Sequence, residues 1–409
     1  MRPSNVTIII PTCNRAHFLG ETLDSVLGQT VPPTQVIVVN DGSTDSTLDL
    51  LRRYGERIEV IDQENSGRAR AVNRAIAQVR GEYLWIFDDD DIAVPQSLER
   101  HLAVLEAHPE VDFTYSGCVI LQTHPDGRVE QKGPLPMPDV PEDEMFSRML
   151  EQNFLQLQAM LVRTRCYREI GLFDPRLNLC DDYDINLRLT RRFAGRRLDT
   201  PSFLFRQHSG LRGRPGALFP AEHRSRYWVI ENRDIHLRLR GELELGEYLP
   251  RSLGAGELDG PRRRRALLQR ACVMARLALW EEALADLQQA LVETMPAAPL
   301  GMVERGLCRR ALGKFIRFDL AIDGLVDHPD VAGRFRRILE DSANVDAQRI
   351  FASELSRYAW ARLRQHQPGR AIRALALAQQ IAGMRSWIPR NESTDSVGRS
   401  SPVAATGSR

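Results

Sequence analysis

The sequence predicts an α/β domain with a mostly parallel sheet, followed by an all-helical region. Over about the first two hundred residues, short β-branched runs alternate with amphipathic segments, which is typical of a parallel sheet flanked by helices. From 261 to 383 the chain is rich in Ala, Leu and Arg and has few β-branched runs, which indicates helices. We therefore expect an α/β domain over 1–240, a helical domain over 241–385 and a disordered tail over 386–409.

Four hydrophobic runs are the strand candidates of the first half-domain. They are Val6–Ile10, Gln35–Asn40, Ile58–Asp62 and Tyr83–Phe87, and the intervening helices are predicted over 21–27, 45–54 and 68–79. Ligands of such sheets bind beyond the carboxyl ends of the strands. The polar segments PTCNR, NDGSTD, QENSG and DDDD follow these ends, so we expect them to meet at one edge of the sheet.

The fourth segment is a run of four aspartates, Asp88 to Asp91. One of them can cap the helix that begins near Pro95, but the others have no structural need to stand together, and they repel one another. A divalent cation is the natural counter-charge, since hard oxygen ligands suit Mg²⁺ or Mn²⁺ and Mg²⁺ is commonly shared between carboxylates and substrate phosphates. The run therefore predicts a metal-bound phosphorylated ligand.

The next part of the chain adds strands and a second acidic segment. We expect strands with hairpin signals over 111–129, a strand over 157–162, a short helix over 164–170 and a last strand over 198–206. Between the last two, CDDYDINLRLTRRF (180–193) predicts a helix entered through Asp181, Asp182 and Asp184. Acids at a helix start complement the helix dipole, which is the simpler explanation for each of them taken singly.

Two segments of the helical region repeat each other. Residues that match in type and spacing are Ala271, Ala283, Leu287 and Ala290 in the first copy and Ala359, Ala371, Leu375 and Ala378 in the second. Small residues at such spacing allow helices to pack closely, and the pattern resembles degenerate tetratricopeptide repeats. The alternative is a bundle of plain amphipathic helices.

Charge and cysteine usage narrow the class of protein. The net charge of +1 gives no global attraction to nucleic acid, although Arg262–Arg265 could present a local basic patch to a membrane. The six cysteines show no CxxC pairing, which favours a reduced, cytoplasmic setting. The first apolar run is too short for a signal peptide, and no run approaches the length of a membrane span. We expect a cytoplasmic protein that can associate peripherally with the inner face of the plasma membrane.

An ordered series of motifs resembles a known family over residues 5–210. The motifs are IIIPTCNR, VVNDGSTDST, NSGRARAVNRAI, YLWIFDDDDIAVPQSL, GLFDP, CDDYDINLRL and FRQH. In this order they resemble the inverting GT-A glycosyltransferases of family 2, which include cellulose, chitin and hyaluronan synthases and many bacterial polysaccharide transferases. A single DxD is a weak signal, whereas the ordered series is a strong one. The resemblance implies a GT-A fold for the first domain.

The resemblance also implies roles at the donor site. The pattern D-x-D-D-x-x-x-P makes Asp88 and Asp90 the outer pair of the DxD element, although a frame shifted by one residue is the alternative. Asp90 would bind Mn²⁺ or Mg²⁺, while Asp88 would contact ribose or a metal-bound water beside the variable Asp89. His208 matches a histidine near the diphosphate or the metal.

Further positions would surround the nucleotide. Asp41 matches the acid that contacts the nucleobase, and a carboxylate can accept from the N3–H of uracil or thymine, with a UDP-sugar as the favoured donor. Asn40 stands where many members have a second aspartate, so the base preference stays open. The remaining donor-pocket positions are Pro11, Cys13, Arg15 and Arg70.

Asp182 aligns with the catalytic base of the family. As general base it would activate an acceptor hydroxyl that attacks the sugar from the face opposite the departing diphosphate, which inverts the anomeric configuration. We expect transfer of a single sugar to a glycan, lipid-linked or protein acceptor, with no nucleic acid partner. The helical region could bind a protein partner or a second copy. The alternatives are an inactive sugar-nucleotide-binding scaffold and a nucleotidyltransferase, although PTCNRAHFLG lacks the lysine that the latter would need.

Overall fold

The computed structural model describes residues 4–124, 128–207, 212–214, 217–219, 221–315 and 318–383. The side chains of 212–214, 217–219 and 221–225 are outside this description. The predicted metal ligand His208 and the predicted tail over 386–409 also lie outside the described residues.

The strands follow one another in chain order, most of them in the first half of the chain. They are β1 (Val6–Thr12), β2 (Gln35–Asp41), β3 (Glu59–Gln63), β4 (Tyr83–Ile86), β5 (Ile92–Ala93), β6 (Phe113–Tyr115), β7 (Cys118–Thr123), β8 (Val129–Pro134), β9 (Met160–Arg163), β10 (Gly195–Arg197), β11 (Phe203–Gln207), β12 (Arg212–Arg214) and β13 (Ala217–Phe219).

The helices connect these strands and then form the carboxyl-terminal region. They are α1 (Ala16–Leu27), α2 (Thr47–Arg52), α3 (Arg68–Ile76), α4 (Ser97–Ala107), α5 (Met145–Glu151), α6 (Thr164–Ile170), α7 (Asp181–Arg192), α8 (Ala221–Glu242), α9 (Arg251–Gly254), α10 (Gly260–Arg276), α11 (Trp280–Gln288), α12 (Met302–Ala311), α13 (Leu320–Asp327), α14 (Pro329–Asp341), α15 (Val345–Arg364) and α16 (Pro368–Ala382).

The main sheet has seven strands in the order β10, β6, β9, β4, β1, β2, β3. Only β9 runs antiparallel to its neighbours, β4 and β6, and the other adjacent pairs are parallel. A second sheet has the order β5, β11, β7, β8, and β12 pairs with β13. The predicted α/β class with a mostly parallel, Rossmann-like sheet is confirmed, and so is the helical region after it.

The central strands are buried along their whole length, because helices cover both faces of a parallel sheet. Pro11 fits inside β1 although it cannot donate a ladder hydrogen bond. The carbonyl of Ile9 accepts from the Phe87 N–H at 2.9 Å. The backbone groups of residue 11 face the same neighbouring strand as those of residue 9, because alternate residues of a strand are equivalent. On that side β4 has already ended at Ile86, so the missing N–H of Pro11 leaves no partner in β4 unpaired.

The helical region packs directly onto the α/β domain. One hydrophobic cluster runs from Ile9 in β1 to Ile381 in α16. A buried acid adds hydrogen bonds between the two parts. The Glu151 carboxylate in α5 accepts from Arg310 in α12 at 2.7 and 3.0 Å and from Gln269 in α10 at 3.0 Å. The boundary predicted at 240 falls within α8, which ends at Glu242, and the division into domains stays a prediction.

The segments predicted to repeat each other lie on helix pairs. Ala271 and Ala283 are buried on α10 and α11, and Ala359 and Ala371 are buried on α15 and α16. Directly after α11 the chain continues as a π-helical segment, Gln289–Thr294, which interrupts the regular helical spacing of the residues in the first copy. Close packing of small residues is thus present, while the assignment to tetratricopeptide repeats stays a prediction.

Most element boundaries differ from the predicted ones by a few residues. The strand predicted over 157–162 begins three residues later, because Leu157–Ala159 forms a 3-10 turn before β9. Within the described ranges, none of the helices combines the length and the apolar character that crossing a bilayer requires.

Candidate active site

The loops after β1, β2 and β3 meet at one edge of the main sheet, as the sequence predicts. The Asn14 N–H donates to Ser43 Oγ at 2.9 Å, and Asn14 Oδ1 accepts from the Thr44 N–H at 2.7 Å. Asn65 Nδ2 lies 3.1 Å from Cys13 Sγ. Gly42 adopts φ +70°, and a Cβ there would lie 2.6 Å from the Asn65 nitrogen, so this close approach requires glycine.

Asp41 is buried at the end of β2 and connects it to the start of α3. Its Oδ1 accepts from the Ser66 N–H at 2.8 Å and from Gln63 Nε2 at 2.7 Å, and its Oδ2 accepts from the Gly67 N–H at 2.8 Å. A carboxylate offers about four acceptor positions, so Oδ2 retains capacity for a further donor. The predicted contact with a nucleobase is compatible with this geometry and stays a prediction.

The predicted nucleotide-pocket residues after β1 occupy the same edge. Cys13 is half-buried, and its burial, together with the charge of Asp41, raises the pKa of the thiol. Cys13 therefore stays protonated at neutral pH and is a poor nucleophile. Arg15 precedes α1, and its Nε lies 4.0 Å from Asp89 Oδ1. This places a cation beside the acidic run.

The acidic run after β4 divides into two parts. Carboxylate oxygens of Asp88, Asp90 and Asp91 all lie within 4.8 Å of one another, whereas Asp89 faces Arg15. Burial and the charge of Asp90 raise the pKa of Asp89. Asp91 is fully buried, and its Oδ1 accepts from the Arg206 N–H of β11 at 2.8 Å.

The three grouped carboxylates fit a divalent cation. Each offers a hard oxygen donor, and their separation is compatible with shared coordination of Mg²⁺ or Mn²⁺. Two of them, Asp90 and Asp91, are buried, and bringing three like charges together without a counter-charge is unfavourable. The group contains both outer aspartates of the predicted DxD element, and it adds Asp91.

Arg68 connects the acidic run to the second acidic segment. It is the first residue of α3, and its two terminal nitrogens donate to Asp88 Oδ1 at 2.9 Å and to Asp181 Oδ2 at 2.8 Å. Asp88 also accepts from Gln158 Nε2. Arg70, the arginine predicted for the donor pocket, is exposed and donates to the Ser66 carbonyl at 3.1 Å instead. Its assignment to the pocket has no support from this contact.

Asp182 lies beside this junction in the first turn of α7. Its Oδ1 accepts from the Tyr183 N–H at 2.7 Å, and Asn153 Nδ2 lies 3.4 Å from its Oδ2. Burial and the charge of Asp181 raise the pKa of Asp182 to about 7, against the lowering effect of Arg68. The side chain is only partly buried, so its carboxylate is accessible to a ligand. These properties suit a general base near neutral pH.

Sequence reasoning did not identify three residues of this group, Arg68, Asn153 and Gln158, and it included Asp91 only as a member of the acidic run. The two arginines of NSGRAR could have been told apart by helical periodicity. Arg68 shares a face of α3 with Val72 and Ala75, which are buried, whereas Arg70 shares a face with the exposed Arg74. Asn153 and Gln158 lie in an irregular segment, where no periodic signal marks them.

Comparison with known proteins adds family information for the first part of the chain. Residues 7–154 match the family described as Glycosyl transferase family 2. These residues form a family 2 glycosyltransferase domain. The match includes the loops after β1 and β2 and the acidic run, and it ends before α7 with Asp182.

Curated relatives of the family 2 domain cover similar stretches. An uncharacterized glycosyltransferase of Rickettsia typhi is 30% identical over 194 residues, which is 46% of this chain and 58% of the relative. The chondroitin synthase of Pasteurella multocida is 28% identical over 188 residues, which is 45% of this chain and 19% of the synthase. The chain thus spans 58% or less of the length of these relatives. A crystal structure of S. aureus TarS 1-349 aligns over 92% of this chain and 91% of the TarS chain, at 17% sequence identity and a TM-score of 0.46.

Proposed function

We propose that the chain is a metal-dependent inverting glycosyltransferase that moves a single sugar from a nucleoside-diphosphate sugar to an acceptor hydroxyl. The observation that carries this proposal is the pair of contacts made by Arg68. One guanidinium holds Asp88 of the acidic run and Asp181, the neighbour of Asp182. These contacts support a single site, in which the residues that suit donor binding lie beside the residue that suits proton removal.

The donor end comprises the edge of the main sheet. Asp88, Asp90 and Asp91 would hold the cation, which would neutralise the charge that develops on the departing diphosphate. Asp41 and Cys13, which lie together at the ends of β2 and β1, would line the nucleoside part of the pocket, with Pro11 behind them. We favour a UDP-sugar, because a carboxylate at Asp41 can accept from uracil N3–H.

The acceptor end centres on Asp182. Its carboxylate would take the proton from the acceptor hydroxyl as the oxygen attacks the anomeric carbon from the face opposite the diphosphate. Asn153 orients one oxygen of the carboxylate and the Tyr183 N–H orients the other. Attack from the opposite face inverts the configuration, and no covalent intermediate is needed. A glycan, a lipid-linked saccharide and a protein are the acceptor classes we propose.

A melting series on the full chain tests the donor site. The protein is heated with UDP, GDP, dTDP or CMP, each with and without Mn²⁺. Ligand at about 100 times its dissociation constant stabilises by about 2.7 kcal/mol, which is easily measured as a higher Tm. We expect a shift with UDP that needs Mn²⁺. If none of the nucleotides shifts the Tm in either condition, the donor site is refuted and the inactive-scaffold alternative gains support.

A further inference from the structure

The segment that leads to Asp182 has no regular structure of its own. Between α6 and α7, residues 171–180 form neither helix nor strand, so their backbone N–H groups need acceptors from elsewhere. The Phe173 N–H donates to Asn73 Oδ1 at 2.9 Å, and the Arg176 N–H donates to Asp174 Oδ1 at 2.9 Å. The last three residues before α7 have a different acceptor.

Glu231 of α8 accepts from all three of these residues. Its Oε1 accepts from the Asn178 N–H at 2.9 Å, and its Oε2 accepts from the N–H groups of Leu179 and Cys180, both at 2.9 Å. Asn178 Nδ2 adds a fourth contact, at 3.2 Å from Oε1. Cys180 is the residue before α7 and makes no side-chain cap of its own. A carboxylate from another helix therefore fixes the point at which α7 begins.

The same face of α8 holds the start of α7 at further points. Trp228 Nε1 donates to the Leu179 carbonyl at 3.2 Å, and Asn232 Nδ2 lies 3.2 Å from Cys180 Sγ. His236 Nε2 lies 3.0 Å from the Tyr183 hydroxyl. These three residues and Glu231 recur at helical spacing on one side of the helix.

Solvent-facing positions of α8 make up its other side. Tyr227, Ile230, Asp234 and Leu237 are all exposed. The contacts with residues 179–183 are therefore a property of one helical face.

We propose that Glu231 is a positioning residue for the general base, and this inference rests on the proposed function. Asp182 is two residues after Cys180, so a displacement of Cys180 moves the carboxylate that takes the acceptor proton. Misplacement by about 1 Å of a reacting group can cost on the order of 100-fold in rate. The donor residues Asp41, Asp88 and Asp90 are on other elements, and Glu231 makes no contact with them among its hydrogen bonds in the described structure.

Glu231→Gln tests the proposal, and Asp234→Asn is the matched control. Glutamine keeps the size of the side chain but directs an NH₂ group at backbone N–H donors, so about half of the contacts are lost. Asp234 is an exposed acid on the same helix. The first measurement is hydrogen exchange of peptides that cover 178–184. We expect faster exchange in E231Q and wild-type exchange in D234N.

The second measurement is the release of UDP from UDP-glucose or UDP-N-acetylglucosamine with Mn²⁺, in which water is the acceptor. We expect kcat of E231Q to fall by about 10-fold or more, while KM for the donor and the Kd for UDP change less than about 2-fold. Because a smaller folded fraction would also lower the apparent kcat without changing KM, kcat is calculated per UDP-binding site, counted by titration of the same preparation. D234N should match the wild type.

The outcomes separate the two proposals. If wild-type protein binds none of the four nucleotides and releases no UDP, the proposed function fails, and the exchange measurement still decides whether Glu231 holds residues 178–180. If the wild type turns over and E231Q keeps its kcat, or loses donor affinity in parallel, the positioning role is overturned. Should E231Q not fold, Glu231→Asp, which keeps the charge but is one methylene shorter, takes its place with the same expected separation.

Discussion

Asp88 and Asp181 accept hydrogen bonds from the same guanidinium, that of Arg68. Asp88 lies after β4, whereas Asp181 is the first residue of α7. Asp181 is mostly buried, and Arg68 and Asp88 are about a quarter to a third exposed. The contact therefore joins two elements that the main sheet alone does not bring together. It also places a permanent positive charge between two acidic groups that would otherwise repel each other.

Arg68→Ala should lower both stability and activity, whereas Arg70→Ala should change neither. Removal of Arg68 leaves Asp88 and Asp181 without their shared partner, and we expect a loss of about 1–3 kcal/mol in the free energy of unfolding after allowance for partial exposure. Arg70 is exposed, so its loss should cost less than about 0.5 kcal/mol. Urea unfolding of both variants checks this. If Arg68→Ala lowers the free energy of unfolding as little as Arg70→Ala does, the contacts of Arg68 with Asp88 and Asp181 add nothing to stability.

Asp90→Ala and Asp182→Asn should separate donor binding from transfer. Without Asp90 the group of three carboxylates loses a buried ligand, so the Mn²⁺-dependent shift in Tm with UDP should disappear. Asp182→Asn keeps the size of the side chain but cannot take a proton, so it should bind UDP normally and lose transfer by at least about 100-fold. Normal transfer by D182N would remove Asp182 from the role of base.

The sequence was informative where periodicity or a motif determines position. The buried strands, the edge at which four polar loops meet, and the acidic run all follow from hydrophobic patterning and the topology of parallel sheets. The frame of the DxD element came from the family resemblance and stays a prediction, and its outer aspartates, Asp88 and Asp90, lie in the grouped carboxylates together with Asp91.

Contacts between distant, irregular segments could not be predicted. Gln158 lies in the 3-10 turn before β9, and Asn153 lies between α5 and that turn, so neither has a periodic environment that marks it. Glu231 could not be predicted either, because in the sequence it looks like any solvent-exposed acid on a helix. Only the fold brings residues 178–180 against it. Such partners depend on packing between elements, which a single sequence does not specify.

The transfer rate should rise with pH through about 7 and level off above it. The pKa of Asp182 is raised to about 7 by burial and by Asp181, and the base acts only when it is ionised. A profile of kcat against pH from 5 to 9 measures this limb. A rate that stays flat across this range in the wild type would contradict the assignment.

Asp182→Asn should also stabilise the protein, most strongly at high pH. The pKa of Asp182 is higher in the folded state than the value near 3.9 of an unfolded chain, so the folded state binds the proton more tightly. Stability is therefore lost as pH rises from about 4 to 7, and asparagine escapes this loss. We expect a gain of about 1–2 kcal/mol for D182N at pH 8, discounted for partial exposure, and about a quarter of that gain at pH 4.5. Unfolding in urea at the two pH values checks this. A gain of equal size at both would show that ionisation of Asp182 is not the cause.

Asp286→Asn should be strongly destabilising, because this residue ties three helices of the carboxyl-terminal region together. The carboxylate is fully buried in α11 and accepts from Arg240 of α8 and from Arg270 of α10, the latter at 2.8 and 3.0 Å. Asparagine removes the negative charge and leaves two guanidiniums, both mostly buried, without a counter-charge. We expect a loss of about 2–4 kcal/mol in the free energy of unfolding.

The matched control is Asp341→Asn at the exposed end of α14, which should cost less than about 0.5 kcal/mol. Because α8 also carries Glu231, a loosened α8 should further increase hydrogen exchange at residues 178–180 in D286N. If D286N unfolds at the same urea concentration as D341N, the buried ion pairs do not fix α8 onto the helical region.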